Sequence, residues 1–308
     1  MEFTGVKKPV RFVAKPAVLS INCQEMRLDT PQGKIHFEVT GEGPPLVFVS
    51  GWAMSGDCWR PSVHLLARRH RCLIYDSRGI GRSQPVPVNA GFGIEDLADD
   101  LHLLIQSTAA YDATIIGHDL GALVAAICAR RHPQDLSSLI VVSPRPPMAE
   151  PDLRKLAVIT PASLALREMA AYPVIRNLVA WRFHRAPKPY REKLYDDFAG
   201  LNPRAAYETA LSVANLDPAY QLDLSIEKGG FPVLAVCGER DKKGVEQARI
   251  LFSRVKSGRL ATLRDCGFLP MLEYPRQFAR LIENFVTAQQ HTRRRSLERR
   301  SSQGEKKH

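Results

Sequence analysis

The chain has 308 residues, of which 44% are hydrophobic, and it carries a formal net charge of +11. This hydrophobic content is ample for a buried core. No segment approaches the ~20 uninterrupted apolar residues that cross a bilayer, which argues against a membrane-spanning protein. The N-terminal residues lack an apolar signal core followed by a small-residue cleavage site, so we expect a soluble, cytoplasmic protein.

The positive charge is concentrated near the C-terminus. Residues 291 to 308 contain seven Lys or Arg and two Glu, and so contribute +5 of the net +11. A polar and highly charged segment of this kind is typical of disorder. We therefore predict a basic disordered tail over 289–308. We expect no nucleic-acid partner.

Short apolar segments recur along the chain, bounded by turns and separated by stretches with helical character. Segments of this kind, apolar throughout, predict strands of a parallel sheet whose two faces are both covered by helices. The expected fold class is therefore α/β. The segments are "PLVFVS" (45–50), "RCLIYD" (71–76), "ATIIGHD" (113–119), "LSSLIVVSP" (136–144), "FPVLAVCGERD" (231–241) and "GRLATLRDCG" (258–267).

The alternation breaks after the fourth segment. Residues 145–228 lack a clear buried strand and are rich in helix formers with proline and aromatic punctuation. This composition favours a helical cap inserted into the sheet domain. We therefore predict an N-terminal extension over 1–25, a core formed by 26–144 and 229–288, and the cap between the two parts of the core.

The segment "GHDLG", residues 117–121, joins an apolar strand to a helix of small residues. Glycine on both sides permits a tight turn that pushes the side chain of Asp119 out at the carboxyl edge of the sheet. The next backbone amide then points to the same place from a helix N-terminus. Asp119 is thus displayed as a nucleophile would be, although a simple helix cap is the alternative.

At these residues the chain resembles the α/β-hydrolase family, with the fold that this implies, and within it the epoxide hydrolases and their relatives the haloalkane dehalogenases. The resemblance covers roughly residues 30–287. The usual histidine at the start of the oxyanion segment is Ser50, and the usual catalytic histidine is Phe268. The matching segments are "GHDLG", "SGWAMSGDCW" (50–59), "YDSRGIGRS" (75–83), "GERD" (238–241) and "GFLPMLEYP" (267–275).

The resemblance implies a role for several residues. Asp119 would be the central catalytic carboxylate, and Asp241 would be the acid member that in the family orients the histidine. The backbone amides of Trp52 and Leu120 would form the oxyanion hole. The resemblance implies no cofactor and no metal.

A second set of residues is expected at the substrate pocket. Trp59 matches a tryptophan common in epoxide hydrolases and is as compatible with the core as with a pocket wall. Family members use cap tyrosines to donate a hydrogen bond to the epoxide oxygen, and Tyr172 and Tyr207 lie in largely apolar helical stretches of the cap. The expected pocket residues are Trp59, Phe268, Tyr172, Tyr207 and His184, the last of which reaches the pocket only if its helix faces inward.

Three interpretations of Phe268 remain open. The protein is a conventional epoxide hydrolase or dehalogenase-like enzyme inactivated by loss of its base, or a non-catalytic small-molecule-binding protein, or an enzyme with altered acid/base chemistry. In the last case Asp119, with Asp241 as a second carboxylate, lets a hydroxyl of the substrate open its own epoxide. Paired carboxylates favour this third interpretation, with an apolar organic epoxide as the only expected partner. A homodimer is left open.

Overall fold

A computed structural model describes residues 23–145, 183–216, 230–255 and 258–304. Tyr172 lies outside these described residues. Eight strands form one sheet in the order β1-β2-β4-β3-β5-β6-β7-β8. The strands are β1 (Cys23–Thr30), β2 (Gly33–Thr40), β3 (Pro45–Val49), β4 (Arg71–Tyr75), β5 (Ala113–His118), β6 (Leu136–Val142), β7 (Val233–Gly238) and β8 (Gly258–Leu263).

The sheet is mostly parallel. β1 and β2 form an antiparallel hairpin, β2 also pairs antiparallel with β4, and the remaining neighbours pair parallel. The six apolar segments of the sequence are the six strands from β3 to β8, as predicted. Because they are parallel, β3 to β8 all end at one edge, where side chains from distant parts of the chain can meet.

Helices cover both faces of the sheet, as the apolar segments predict. In β3, Val47 and Val49 belong to one hydrophobic cluster and Leu46 and Phe48 to another, because successive side chains of a strand point to opposite faces. Residues of α2, α3 and α6 join the first cluster, and residues of α1, α7 and α8 join the second. The helices are α1 (Arg60–Leu66), α2 (Ile94–Ser107), α3 (Leu120–Arg131), α4 (Lys188–Ala199), α5 (Pro203–Ala214), α6 (Lys242–Arg254), α7 (Pro270–Glu273) and α8 (Pro275–Gly304).

The helices α4 and α5 lie in the range expected for the cap, and α4 is tied to the core by a buried carboxylate. Asp197 accepts hydrogen bonds from the backbone nitrogen of Ser55, at 2.8 Å, and from its hydroxyl. Lys193 bonds the same carboxylate at 2.8 Å. Burial raises the pKa of Asp197. These bonds fix the C-terminal half of α4 to the loop that follows β3.

The last helix differs from the expectation of a disordered tail. α8 continues to Gly304 and so includes most of the segment 289–308. That segment contains no proline and no glycine before Gly304, and it is rich in Arg, Gln and Glu, which have high helix propensity. Among the described residues, no helix combines the length and apolar content needed to cross a lipid bilayer.

Candidate active site

Asp119 occupies a strained turn between β5 and α3. Its backbone has φ 51° and ψ −117°, a region that a non-glycine residue adopts at a cost of roughly 1–3 kcal/mol. The backbone nitrogen of Asp119 donates to the carbonyl oxygen of Val142 at 3.0 Å, which ties the turn to β6. The side chain forms no capping hydrogen bond to α3. The helix-cap alternative is therefore wrong, and the carboxylate, 21% exposed, projects from the edge of the sheet.

The two glycines of the turn allow backbones to come very close. A Cβ atom at Gly117 would lie 2.3 Å from the carbonyl oxygen of Gly121. A Cβ atom at Gly121 would lie 2.3 Å from the carbonyl oxygen of Val49 and 2.5 Å from that of Ser50. Contacts this short exclude any side chain. The first turn of α3 therefore packs directly on the ends of β3 and β5, and this fixes the backbone of Asp119.

Arg145 is the main feature of the site that sequence reasoning missed. Its Nη1 atom lies 2.8 Å from Oδ1 of Asp241, and its Nε atom lies 3.7 Å from Oδ1 of Asp119. Its guanidinium carbon lies 4.2 Å from the centre of the Phe268 ring. Its place in the sequence could have indicated this role. Arg145 follows the end of β6 by three residues, so it lies at the same edge of the sheet as both carboxylates.

Asp241 caps α6 and is nearly buried. Its side chain accepts from the backbone nitrogen of Gly244, and its exposed fraction is only 6%. Oδ2 of Asp241 has no hydrogen-bond partner among the described residues. The sequence suggested that Asp119 and Asp241 act as a pair, one an acid and the other a base. The structure differs, because the guanidinium of Arg145 forms ion pairs with both carboxylates.

Phe268 lies under the guanidinium of Arg145, and it contacts His118. The two rings have centres 4.5 Å apart, and Nε2 of His118 lies 3.0 Å from the backbone oxygen of Phe268. His118 is fully buried, and burial lowers its pKa. The imidazole of His118 is therefore a neutral group of the core that hydrogen-bonds the backbone. It is not placed to activate a water molecule as a general base.

A cavity of about 650 Å³ opens beside Arg145, Asp241 and Phe268. His184 also lines it and is exposed, so the structure places this predicted pocket residue at the cavity. We call it the basic cavity after five lining residues, which are Arg145, Arg185, Arg240, Lys242 and Lys243.

A second and much smaller cavity, about 20 Å³, is lined by Trp52 and Leu120. The backbone nitrogens of these two residues form no hydrogen bond with any other described residue. Gly51 also lines it, and a Cβ atom at Gly51 would lie 3.1 Å from Cβ of Asp119. The turn that contains Gly51 and Trp52 therefore lies close to Asp119, which directly precedes Leu120.

Two predicted pocket residues lie elsewhere. Trp59 is fully buried, donates from Nε1 to the Ser50 hydroxyl at 3.1 Å, and stacks on Phe278. It is a core residue because its short 3₁₀ helix faces the sheet. Tyr207 is 47% exposed, since α5 buries Ala206 and the next residue along a helix turns about 100° away. Neither lines the basic cavity.

One group of three residues among those described has the spacing of a metal site, away from the carboxylates. The ligand atoms of Glu25, His36 and Glu38 lie within 4.8 Å of one another. However, Oε1 of Glu38 already accepts from both Arg60 and Arg82 at 2.6 Å each. Two guanidinium groups on one carboxylate oxygen oppose a bound cation, so this group does not favour a metal.

Comparison with known proteins identifies the family. The sequence model of the alpha/beta hydrolase fold matches residues 44–275. A pimeloyl-[acyl-carrier protein] methyl ester esterase of Aeromonas hydrophila subsp. hydrophila is 31% identical over 261 residues, which cover 82% of this chain and 99% of that protein.

Solved structures agree on the fold. A thermophilic esterase from Thermogutta terrifontis matches with a TM-score of 0.70 and 22% identity, over 86% of this chain and 99% of that one. The epoxide hydrolase CorEH matches with a TM-score of 0.68 and 20% identity, over 87% and 99%. At these low identities the similarity shows a shared fold and says nothing about the substrate. Taken with the family model, which matches most of the chain, they show that the chain belongs to the α/β-hydrolase family.

Proposed function

We propose that this α/β-hydrolase-fold enzyme opens an epoxide in an apolar organic substrate by attack of a hydroxyl group of the same substrate. One observation is the main support for the proposal. The Asp119 carboxylate projects from the turn, and the position that holds the histidine base in related hydrolases is occupied by the aromatic ring of Phe268. Asp119 stands on the strained turn, and Phe268 lies under the guanidinium of Arg145, which forms an ion pair with Asp119.

In the proposed reaction the oxygen of the substrate hydroxyl forms a bond to one epoxide carbon while the bond between that carbon and the epoxide oxygen breaks. The hydroxyl proton passes to Asp119, and from there to the alkoxide that the opening releases. The product is an isomer of the substrate, a cyclic ether with a new hydroxyl, and no water is consumed. A positioned carboxylate of this kind contributes about 10²–10⁴-fold to a proton transfer.

The neighbours of Asp119 support this chemistry. The distance of 3.7 Å from Arg145 Nε is longer than a hydrogen bond, so this carboxylate oxygen is available to accept a hydrogen bond from the substrate. The guanidinium and the free amides of Trp52 and Leu120 are donors for the oxygen that becomes negative. The ring of Phe268 presents an apolar surface, which discourages the attack of water that would give a diol.

The test compares an epoxide that carries a hydroxyl within reach of its ring with the same epoxide lacking that hydroxyl. We expect the wild-type protein to convert the first to a cyclic ether, detected by gas chromatography with mass spectrometry, and to leave the second unchanged. Asp119→Asn should reduce cyclisation by about 100-fold or more. Asp29→Asn is the matched control, because Asp29 is exposed at the β1–β2 hairpin and should have no effect.

Phe268→His separates the interpretations. A base-deficient conventional hydrolase predicts that this change produces diol from the simple epoxide, and that the unaltered protein instead gains the mass of the epoxide as an ester on Asp119. Cyclisation that persists in Asp119→Asn would refute the proposed role of the carboxylate. Absence of any product or adduct from either epoxide would favour a binding protein.

A second candidate is hydrolysis of a carboxylic ester, favoured by the esterase that is 31% identical over nearly its whole length. Such hydrolysis is usually carried out by a hydroxyl nucleophile with an imidazole base, whereas this chain has Asp119 and Phe268 at the corresponding places. A panel of p-nitrophenyl esters tests it. Turnover that is lost in Asp119→Asn would favour this candidate over epoxide opening.

A further inference from the structure

The lining of the basic cavity has an excess of positive charge. Five basic side chains face two carboxylates, which are those of Asp241 and Glu273. Both carboxylates are already neutralised by close partners. Asp241 is paired with Arg145 at 2.8 Å, and Glu273 is paired with Arg185 at 2.9 Å.

Glu273 is held by more than its ion pair. Its two oxygens accept from the backbone nitrogens of Gly267, at 2.8 Å, and Leu269, at 3.2 Å. A carboxylate bonded in this way is part of the wall and is not free to neutralise a further cation. The remaining positive charges are those of Arg240, Lys242 and Lys243.

These three cations are open to solvent. Arg240 lies 2.9 Å from Asp265, in a pair whose members are each 58% exposed, so the pair is weak and can be rearranged. Lys242 and Lys243 are exposed, and no described acidic side chain pairs with either. They are the first residues of α6, a 13-residue helix whose N-terminus adds positive potential.

The cavity also has apolar lining residues. Phe183 and Phe268 line it with partly buried rings, and Leu269 is almost completely buried there. The volume of about 650 Å³ lies within the range of roughly 300–1,000 Å³ that is usual for small-molecule sites. The cavity therefore has both apolar and cationic lining residues.

We propose that the basic cavity binds a substrate with an apolar body and an anionic group, either a carboxylate or a phosphate. The anionic group contacts Lys242, Lys243 and Arg240, while the apolar body lies on Phe183 and Phe268 and leads toward Arg145, whose Nε atom lies 3.7 Å from Asp119. This inference rests on the proposed function for the position of the reacting end of the substrate. Binding of the anionic end is independent of it.

The test is isothermal titration calorimetry of the wild-type protein at low ionic strength with three probes of similar apolar length. The probes are octanoate, octyl phosphate and the uncharged octanamide. None contains an epoxide, so a failure of the epoxide chemistry cannot affect the result. We expect both anions to bind at least about tenfold more tightly than octanamide, because each gains charge-assisted hydrogen bonds. Rising salt should weaken only the anions.

The decisive variant is Lys242→Gln with Lys243→Gln, which should remove the preference for anions over octanamide. Both lysines are exposed at a helix N-terminus, where loss of positive charge does not harm the helix. The matched control is Lys34→Gln with Arg69→Gln, which removes two exposed charges distant from the cavity and should keep the preference. The tighter of the two anions identifies the group. Equal binding of all three probes, or an unchanged preference in the double variant, would overturn the proposal.

Discussion

Replacement of Arg145 by methionine tests whether its guanidinium holds the candidate site together. Methionine keeps most of the apolar length of the side chain and removes the charge and the donors. The partner that loses most is Asp241, whose side chain is 6% exposed and whose Oδ2 has no partner among the described residues. After the substitution this carboxylate keeps, within the described part of the chain, only the hydrogen bond from the backbone nitrogen of Gly244, at 3.3 Å.

The expected magnitude lies between two limits. Removal of one member of a fully buried ion pair costs about 3–5 kcal/mol, and exposed pairs contribute below about 1 kcal/mol. Asp241 is buried, but Arg145 is 26% exposed, so solvent can partly replace the lost partner. We therefore expect Arg145→Met to lower the free energy of unfolding by roughly 2 kcal/mol.

The assay is urea unfolding of four proteins, which are the wild type, Arg145→Met, Asp241→Asn and the double variant. Because the second substitution removes the charge that the first leaves unpaired, the double variant should lose less stability than the two single losses added together. We expect a coupling free energy of about 1–2 kcal/mol. The slope of unfolding free energy against urea should stay the same, since the buried surface is unchanged.

A coupling below about 0.5 kcal/mol would refute this reasoning. It would mean that the 2.8 Å contact between Arg145 and Asp241 is as weak as a surface pair and that Asp241 does not depend on this cation. A large loss in Arg145→Met that Asp241→Asn does not reduce would place the role of Arg145 in its contact with the Phe268 ring instead.

Two further predictions concern the turn and its neighbour. Gly121→Ala should cost several kcal/mol or prevent folding, because its Cβ would lie 2.3 Å from the Val49 carbonyl oxygen, whereas Gly200→Ala meets only one atom at 3.1 Å and should cost about 1 kcal/mol or less, as measured by urea unfolding; equal stability of the two would contradict the close packing of α3. Burial keeps the pKa of His118 below its ordinary value of 6.5. Below pH 6.5 the unfolded chain therefore binds a proton that the folded protein does not, so the free energy of unfolding decreases as the pH is lowered. The difference in unfolding free energy between the wild type and His118→Gln should therefore become smaller, or change sign, when the pH is lowered from 7.5 to 5. A difference that stays constant with pH would contradict this.

The sheet and the turn around Asp119 could be predicted because their signals are local. Strands β3 to β8 are continuous apolar segments, and their order along the chain is visible without any knowledge of contacts. The glycines that flank "HDL" indicate a tight turn by themselves, and a Cβ atom at either one would lie 2.3 Å from a carbonyl oxygen.

The groups around the carboxylate could not be predicted in the same way. Arg145 is one of many arginines, and its importance depends on β6 ending beside β5 and β7, which brings it to Asp119 and Asp241. The burial of Trp59 and the exposure of Tyr207 could not be predicted either, because a sequence does not reveal which face of a helix is buried.

The direct packing of α3 on the strand ends has a consequence for altering the enzyme by design. The backbone beneath Asp119 is set by contacts between main chains, so substitutions elsewhere have little means of displacing the carboxylate. The walls of the basic cavity come from other segments, including Phe183 and Arg185 before α4 and Lys242 and Lys243 in α6. Under the proposed function, substitutions at those walls change the substrate preference while the carboxylate oxygens of Asp119 keep their location.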